Sequence, residues 1–382
     1  MKEFYLDHAA TTYVKPEVLD VMLPFFCDKF ANPSSMYKIA KDSREAVEHA
    51  REQVAKAIGA DADEIYFTSG GSEADNLIIK GYARANKDKG NHIITSKIEH
   101  MAVLETCKML EKEGFEITYL DVDENGFVDL EQLKQSVNSQ TLLISIMLAN
   151  NEIGTIQPVD EIAKIAKQNG VLFHTDAVQA VGNLKIDVKK MDIGALSLSA
   201  HKFYGPKGVG ALYIRKKYNF QSIISGGHQE KHKRAGTENL PGIVGMGKAI
   251  ELAMSNLEEH AEKLINVRDE YIEKIFERVP NVRLNGDKTK RLPGNANISF
   301  EGVGGASLLL MLSEDKIYVS SASACTAGLA TPSHVLKAIG LSDELANATL
   351  RVTFGENSSK SDLEYIVEKI AENVNKLRKL KK

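Results

Sequence analysis

The 382-residue sequence lacks long apolar runs and a strong net charge, and each absence excludes a class of protein. No segment approaches the roughly 20 consecutive apolar residues that cross a bilayer, and the first seven residues lack the apolar stretch of a signal peptide. A formal net charge of -4 gives no overall electrostatic reason to bind nucleic acid or an anionic membrane. We therefore expect a cytoplasmic protein that binds neither.

Cysteine is also scarce. The chain has three cysteines: Cys27, Cys107 and Cys325. They are too few and too scattered for a disulfide framework, which fits a reducing compartment. The sequence has no CxxC pair and no HExxH motif, so it gives no support for a zinc site. His228 and His232 are four residues apart, but Gly226-Gly227 precedes them, which favours a polar loop over a metal site.

Apolar runs alternate with helical patterns through the first two-thirds of the chain. Runs rich in Ile, Val and Leu predict strands at 64–67, 92–95, 142–148, 171–173, 194–198 and 209–214. The patterns between them predict helices at 72–85, 101–112 and 159–168. This order predicts a mainly parallel sheet with helices on both faces. A long helical pattern at 252–278 then leads to a smaller α+β domain, in which short strands and helices are mixed.

Polar residues follow several predicted strands, at the edge where parallel sheets bind ligands. Lys202 closely follows the strand at 194–198, and a lysine that is held rigidly and partly desolvated can form a Schiff base with pyridoxal phosphate. Asp176, just past the strand at 171–173, is a candidate to keep a pyridinium nitrogen protonated. Because most lysines are exposed, a salt-bridged surface lysine is the alternative interpretation of Lys202 taken alone.

Three weaker signals occur at other strand ends. Gly70-Gly71-Ser72 joins a strand to a helix, where free amides attract a phosphate, although such turns are common. His100 offers a flat ring for stacking on an aromatic cofactor and for proton transfer, but a lone histidine is often structural. Asn151 could donate to a ring oxygen or to a substrate carboxylate, although Asn-rich turns are frequent. One pocket would collect all of these side chains.

Two residues in the last part of the chain stand out. Cys325 lies in a run of small residues at 320–328, which predicts an exposed thiol on a flexible loop. The other two cysteines fall in helical patterns beside large apolar residues and are predicted to pack in or near the core. Arg351 lies in an apolar, strand-like segment, where it would pair with a substrate carboxylate or with a nearby Asp or Glu.

Eight motifs between residue 6 and about residue 355 resemble, in order, those of the cysteine desulfurases of the NifS/IscS type. They are LDHAATT (6–12), NPSS (32–35), FTSG (67–70), NNEIG (150–154), HTDAVQ (174–179), SAHK (199–202), RAGTEN (234–239) and SACT (323–326). The long small-residue loop resembles the type I subgroup of these class V pyridoxal phosphate aminotransferase-like enzymes. The resemblance implies fold type I, with a mainly parallel seven-stranded sheet in a large domain at 14–257. A smaller α+β domain would comprise 1–13 and 258–382 and carry the cysteine loop at about 321–332.

The resemblance also implies a role for each candidate residue. Lys202 would hold the cofactor, pyridoxal 5′-phosphate, as a Schiff base, Asp176 would pair with the ring nitrogen, and His100 would stack on the ring. The residues implied to hold the rest of the cofactor are Gly71, Ser72, Ser199, His201 and Thr237 of the partner subunit at the phosphate, Gln179 at the ring hydroxyl, and Asn151. The residues implied to bind the substrate carboxylate are Asn151 and Arg351, with Asn32 nearby.

The implied activity is removal of sulfur from L-cysteine, which gives L-alanine and a persulfide on Cys325, with His100 handling the thiol protons. The enzyme would be a homodimer and would pass sulfur to acceptor proteins for iron–sulfur cluster assembly, tRNA thiolation or both. One alternative is a selenocysteine lyase, or a related lyase or aminotransferase that needs no thiol. Another is a scaffold that has lost the chemistry, against which the intact site residues argue. The sequence departs from the common family pattern in four places. His8 and Met36 bear only on fine positioning, Gly71-Ser72 keeps the hydroxyl group needed for phosphate, and Ala322 would stiffen the loop slightly.

Overall fold

The computed structural model describes residues 2–321 and 332–380. The strands are β1 (Phe4–Tyr5), β2 (Ile65–Thr68), β3 (His92–Ser96), β4 (Glu116–Leu120), β5 (Thr141–Ser145), β6 (Leu172–Asp176), β7 (Ala195–Ser199), β8 (Gly210–Ile214), β9 (Val282–Leu284), β10 (Asn295–Phe300), β11 (Ile317–Tyr318), β12 (Ser320–Ser321) and β13 (Thr349–Thr353). The helices are α1 (Pro16–Met22), α2 (Pro24–Cys27), α3 (Ala40–Ile58), α4 (Gly71–Ala85), α5 (Met101–Lys112), α6 (Leu130–Ser136), α7 (Val159–Gln168), α8 (Gln229–His232), α9 (Leu240–Ser255), α10 (Leu257–Arg278), α11 (Gly305–Glu314), α12 (His334–Ala338), α13 (Asp343–Asn347) and α14 (Lys360–Leu380). Single 3₁₀ turns occupy Ala62–Glu64 and Ala200–Lys202.

The larger sheet has seven strands in the order β2-β8-β7-β6-β5-β3-β4. Its strands are parallel except for β8, which is antiparallel to both of its neighbours. Strands β3, β5, β6, β7 and β8 are buried at every position, because α3, α7 and α9 cover one face and α4 and α5 the other. Burial on both faces explains why these segments are continuously apolar in the sequence. The predicted mainly parallel seven-stranded α/β fold is confirmed.

Most predicted helix bounds are close to those of the structure, and α5 and α7 have the predicted bounds. The long helical pattern at 252–278 is instead divided at Asn256, where the backbone leaves the helical region between α9 and α10. Within the described part of the chain, no helix combines the length and apolarity needed to cross a bilayer.

The two cysteines in helical patterns differ in burial. Cys107 is fully buried in α5, as predicted. The prediction that Cys27 packs in or near the core is wrong, because Cys27 is exposed. It ends the four-residue helix α2, none of whose residues is buried, and its neighbour Phe26 is exposed too. The apolar sequence around Cys27 therefore marks a surface patch rather than a core helix.

A second hydrophobic core lies against the four-stranded antiparallel sheet β12-β13-β10-β9. Helices α10, α11 and α14 pack on this sheet through side chains such as Tyr271, Leu308 and Ile366. The N-terminal segment joins this core: β1 pairs in parallel with β11, and Leu6 is buried within the core. These contacts are compatible with placing residues 1–13 and 258–382 in one smaller domain, which stays a prediction.

Candidate active site

A cavity of about 430 Å³ lies at the carboxyl ends of the parallel strands, beside residues of the C-terminal sheet. The residues singled out from the sequence that line it are Gly71, Ser72, His100, Asn151, Asp176, Gln179, Ser199, His201, Lys202 and Arg351. They come from segments up to 280 residues apart (351 minus 71), so the fold rather than chain proximity brings them together. The cavity is therefore the candidate active site.

Lys202 closes the 3₁₀ turn that directly follows β7. Its Nζ donates hydrogen bonds to the carbonyl oxygens of Ala9 at 2.5 Å and Ala10 at 2.9 Å. The side chain is half-buried and lines the cavity, which does not fit the alternative of a surface lysine. A rigid turn and two fixed acceptors hold the amine at the cavity wall, as covalent attachment of a cofactor requires.

Asp176 ends β6 and is buried. The amide of Val178 donates to its Oδ1 at 2.9 Å. Burial raises the pKa of Asp176, while the Val178 amide and the nearby His100 and Lys202 oppose that rise. A carboxylate in such surroundings gains free energy when a cationic N–H group lies against it. Asp176 thus fits a partner such as a protonated ring nitrogen.

His100 is the N-cap residue of α5, and its Nδ1 accepts a hydrogen bond from the amide of Ala102 at 3.1 Å. Because Nδ1 is the acceptor, the neutral ring carries its proton on Nε2. The ring has exposed surface and lines the cavity, but the surrounding protein still desolvates it. This desolvation lowers the pKa of His100. The nearby Lys202 and His334 lower the pKa further, whereas Asp176 opposes the shift. The imidazole is therefore neutral near pH 7.

The start of α4 also lines the cavity. Gly71 is buried, and a Cβ at this position would lie 2.5 Å from Cγ2 of Val178, so a side chain there would have to displace Val178. The exposed Ser72 and the buried Ser199 contribute hydroxyl groups to the same cavity. Burial lowers the pKa of His201, also in the wall, to about 4. Free amides at a helix N-terminus with nearby hydroxyl groups fit a phosphate.

Together these groups fit a phosphorylated aromatic aldehyde such as pyridoxal phosphate. The cavity offers a fixed amine, a buried carboxylate, an imidazole and a side-chain-free helix start. Among residues 2–321 and 332–380, no group of three or more His, Cys, Asp or Glu side chains is arranged to hold a metal ion. An amine, a carboxylate and an imidazole in one cavity suit an organic cofactor.

Arg351 lies in β13 and is buried. Its Nη2 donates to Oδ1 of Asp7 at 2.8 Å, and its Nη1 donates to the carbonyl oxygen of Asn151 at 3.1 Å. Its Nε has no hydrogen-bond partner among the described residues. Of the two pairings that the sequence left open, the structure has the one with an acid. A guanidinium in the cavity wall is a donor group suited to a carboxylate.

Three predicted residues differ in their relation to the cavity. Gln179 lines it, and its Nε2 donates to the carbonyl oxygen of Ala9 at 3.0 Å. Asn32 is half-buried and is not part of the cavity wall; its Oδ1 accepts a hydrogen bond from the amide of Ser34. Thr237 is exposed and also lies outside this wall. The structure therefore does not bring Asn32 and Thr237 of the same chain into the site.

Cys325 lies outside the described residues, as does Ala322. The residues on either side of this segment are held near the cavity. Ser320, five positions before Cys325, lines the cavity. On the other side, Ser333 donates to Oε2 of Glu152 at 2.6 Å. Ser320 thus lies in the cavity wall, and Ser333 contacts a residue adjacent to Asn151.

Sequence reasoning missed two acids in the cavity wall, Asp7 and Asp75. Asp75 is buried on α4, its Oδ1 has no hydrogen-bond partner among the described residues, and this atom lies 3.7 Å from Nε2 of His174. Burial raises the pKa of Asp75, and the nearby Asp176 raises it further. The available signal was its position: Asp75 follows Gly71 by four residues, on the apolar face of the helix. Asp7 gave no comparable signal, because its partner is more than 300 residues away.

Comparison with known proteins gives one consistent result. Residues 4–366 match the family described as aminotransferase class-V. A cysteine desulfurase IscS of Clostridium botulinum is 54% identical over 381 residues, which cover 99% of this chain and 96% of that protein. A cysteine desulfurase IscS of Methanosarcina thermophila is 52% identical and covers 99% of this chain, with 94% of its own length matched.

Solved structures agree. A NifS-like protein superposes with a TM-score of 0.92 at 38% identity, covering 98% of this chain and all of the other. A structure of SspA in complex with cysteine has a TM-score of 0.82 at 39% identity and covers 92% of this chain and 99% of its own. The similarity extends over almost the whole chain and is not confined to the cavity.

Proposed function

Since the chain belongs to the aminotransferase class-V family and, within it, to the cysteine desulfurases of the NifS/IscS type, we propose specific roles for the residues of the cavity. The protein is a pyridoxal phosphate-dependent cysteine desulfurase, with L-cysteine as its substrate and sulfur-acceptor proteins as its partners. The observation that supports the proposed roles best is the convergence of Lys202, Asp176, His100 and the start of α4 on one cavity.

The first roles concern the cofactor. When bound, pyridoxal phosphate supplies an electron sink conjugated to the substrate amine, which makes the substrate Cα–H bond acidic. Lys202 would hold the cofactor covalently through Nζ and, once released, would carry the α-proton. Asp176 would keep the ring nitrogen protonated by giving that charge a buried counter-ion. His100 would stack on the ring and Gln179 would bind the ring hydroxyl, with Asn151 also in contact.

The phosphate would lie at the N-terminus of α4. The amides of Gly71 and Ser72 would donate to its oxygens, together with the hydroxyl groups of Ser72 and Ser199 and the ring of His201. The absence of a side chain at Gly71 leaves room for Val178, whose Cγ2 lies 2.5 Å from where a Cβ would be. A dianion there is also favoured by the helix dipole.

Arg351 would bind the substrate carboxylate. In the structure its Nη2 already donates to Asp7, so the substrate carboxylate would share the guanidinium with Asp7 or replace it. Asn151 would add a donor, and Asn32 would lie nearby in the assembled enzyme. Fixing the carboxylate fixes the orientation of the substrate Cα–H bond relative to Lys202.

Cys325 would accept the sulfur. Its thiolate would attack the sulfur of the substrate and form the S–S bond of a persulfide as the substrate C–S bond breaks. The electron pair of that bond would go to the carbon skeleton, which becomes L-alanine after protonation. The neutral imidazole of His100 would remove and return the thiol protons. The proposal is supported by the flanking residues: Ser320 lines the cavity, and Ser333 bonds Glu152 beside Asn151.

We further propose a cytoplasmic homodimer. An exposed apolar stretch on α1, α2 and the following segment supports an interface. Its members are Leu19, Leu23, Phe26, Phe30, Met36, Tyr37 and Ile39. Thr237, exposed and outside the cavity of its own chain, would then contact the phosphate bound by the partner.

The three scattered cysteines fit a reducing compartment such as the cytoplasm. The sulfur would serve iron–sulfur cluster assembly, tRNA thiolation or both.

Substitution of two cysteines tests the thiol role. Cys325→Ser should abolish sulfide release from L-cysteine while the absorbance of the bound cofactor is retained, because Cys325 has no proposed role in holding the cofactor. Cys27→Ser, which removes an exposed thiol, is the matched control and should keep full activity. Sulfide release by Cys325→Ser at the rate of the unmodified protein would refute the role of Cys325 as sulfur acceptor. Loss of cysteine activity with retained selenide release from selenocysteine would show that the enzyme also acts as a selenocysteine lyase without the thiol.

A further inference from the structure

Residues 228–239, here called the Glu230 segment, are tied to the large sheet by a buried ion pair. The carboxylate of Glu230 accepts two hydrogen bonds from the guanidinium of Arg51, both at 2.8 Å, and one from the amide of Phe67 at 2.8 Å. Glu230, Lys231 and His232 all have left-handed backbone conformations, with φ of 46°, 56° and 66°. Three such residues in succession are strained, so surrounding contacts must hold this conformation.

A second ion pair joins the same segment to the start of α4. Nε of Arg234 donates to Oε1 of Glu73 at 2.8 Å, and Nη2 donates to Oε2 at 3.3 Å. The amide of Ser69 donates to the same carboxylate at 2.9 Å. Both side chains are largely shielded, with 22% of Arg234 and 11% of Glu73 exposed. The Glu230 segment therefore contacts the turn that carries Gly71 and Ser72 through one defined pair of charges.

The negative charge of Glu73 disfavours binding of a second anion at the start of α4. It lies in the first turn of α4, where a carboxylate interacts with the positive end of the helix dipole and so competes with any other anion there. Burial raises the pKa of Glu73, but the hydrogen bonds from Arg234 and Ser69 outweigh burial and leave the pKa below its ordinary value. Glu73 is thus a full negative charge at neutral pH. Its low exposure means that solvent screens it weakly.

We propose that Arg234 is a positioning residue for cofactor retention: by neutralising Glu73, it lets the first turn of α4 accept the cofactor phosphate. This inference rests on the proposed function, which puts the phosphate at Gly71 and Ser72. Arg234 itself does not line the cavity, so it acts through Glu73 and not through direct contact with the cofactor. The Arg51–Glu230 pair holds the backbone from which Arg234 reaches Glu73.

A set of charge substitutions tests the proposal in the full-length protein after removal of the cofactor. Arg234→Met leaves Glu73 unneutralised and should weaken binding of pyridoxal 5′-phosphate about tenfold, the equivalent of about 1.4 kcal/mol. Glu73→Gln keeps an acceptor for the Ser69 amide, removes the charge, and should bind the cofactor at least as tightly as the unmodified protein. Glu73→Gln with Arg234→Met should restore binding to within about threefold.

Pyridoxal without phosphate is the control ligand. Its dissociation constant should be the same for all these proteins, since the proposed effect acts only on the phosphate charge. The inference is overturned if Arg234→Met and the double variant bind pyridoxal 5′-phosphate equally weakly, or if pyridoxal binding falls in parallel. If Arg234→Met does not fold, Glu73→Gln alone decides, because weaker cofactor binding by this variant contradicts the proposal.

Ser72→Ala separates this inference from the proposed function. The variant should weaken binding of pyridoxal 5′-phosphate but not of pyridoxal. If Ser72→Ala has no such effect, the phosphate does not lie at α4, and the proposed placement and the inference both fail. If Ser72→Ala has the effect and Arg234→Met does not, only the role of Arg234 is refuted.

Discussion

Replacement of Glu99 by glutamine should stabilise the protein near neutral pH. Glu99 is buried, and its Oε1 accepts hydrogen bonds from the hydroxyl of Ser96 at 2.6 Å and from the amide of Met147 at 3.0 Å. Burial, with a smaller contribution from Asp176, outweighs the opposing hydrogen bonds from Ser96 and Met147 and raises the pKa of Glu99 to about 8. The folded protein therefore holds Glu99 as a neutral acid at pH 7. Glutamine has the same shape and keeps an acceptor for the Met147 amide.

The size of the effect follows from proton linkage. In the unfolded chain Glu99 has the ordinary pKa of 4.5, so between about pH 4.5 and 8 the folded state binds one proton more than the unfolded state. The stability contributed by this protonated group is fully present below pH 4.5 and is lost as the pH rises through 8. Each pH unit in this window costs about 1.4 kcal/mol, so from about pH 5.5 to 7.5 the loss is roughly 3 kcal/mol. Glu99→Gln removes this loss.

Urea unfolding at several pH values, followed by far-ultraviolet circular dichroism, measures the difference between Glu99→Gln and the unmodified protein. Comparing the two cancels the other titrating groups, which both share. The difference should grow in favour of the variant as the pH rises. Glu161→Gln, at an exposed glutamate on α7, is the control and should show no such trend. A difference that does not change with pH, or a variant that is less stable at pH 7.5, would refute the reasoning.

Three other outcomes are expected. Gly71→Ala should weaken cofactor binding severalfold, because its methyl group would lie 2.5 Å from Cγ2 of Val178 and one of the two must shift. Val178→Ala should restore part of the affinity, and unchanged binding in a cofactor titration would contradict this. Glu230→Gln should lower the free energy of unfolding by about 3 kcal/mol, because it leaves Arg51 buried beside a neutral group; urea unfolding that shows less than about 1 kcal/mol would contradict it. Burial raises the pKa of Cys107 to about 12, so peptide mapping should find it unlabelled by iodoacetamide in the folded protein and labelled in urea.

Local sequence patterns were sufficient for the parts of the fold that local interactions determine. The bounds of α5 and α7 follow from helical periodicity, and the buried strands follow from continuous apolar runs. The edge strand β4 was not predicted: only its last residue is buried, so its sequence is not continuously apolar. Cys27 shows the opposite failure, because an apolar neighbourhood on the surface has the same composition as a core helix.

The candidate site was predictable only as a set of strand ends. Lys202 and Asp176 line the same cavity because parallel strands place their carboxyl ends at one edge of a sheet. What surrounds them depends on contacts between distant segments, such as those of Lys202 with the carbonyl groups of Ala9 and Ala10. The pairing of Arg351 with Asp7 is of the same kind. No local pattern encodes such contacts, so the electrostatic surroundings of each group had to come from the structure.

The pairing of β1 with β11 also sets an order of events during synthesis. Phe4 is opposite Ile317, so the N-terminal strand leaves the ribosome long before its partner exists. At roughly 5 to 20 residues per second, it waits about 15 to 60 seconds for the intervening chain to be made. Ala9 and Ala10, whose carbonyl oxygens accept hydrogen bonds from the amine of Lys202, belong to this N-terminal segment, which is synthesised long before β11. We therefore expect the large sheet to form on the growing chain and the cofactor-binding amine to reach its final position only after translation is almost complete.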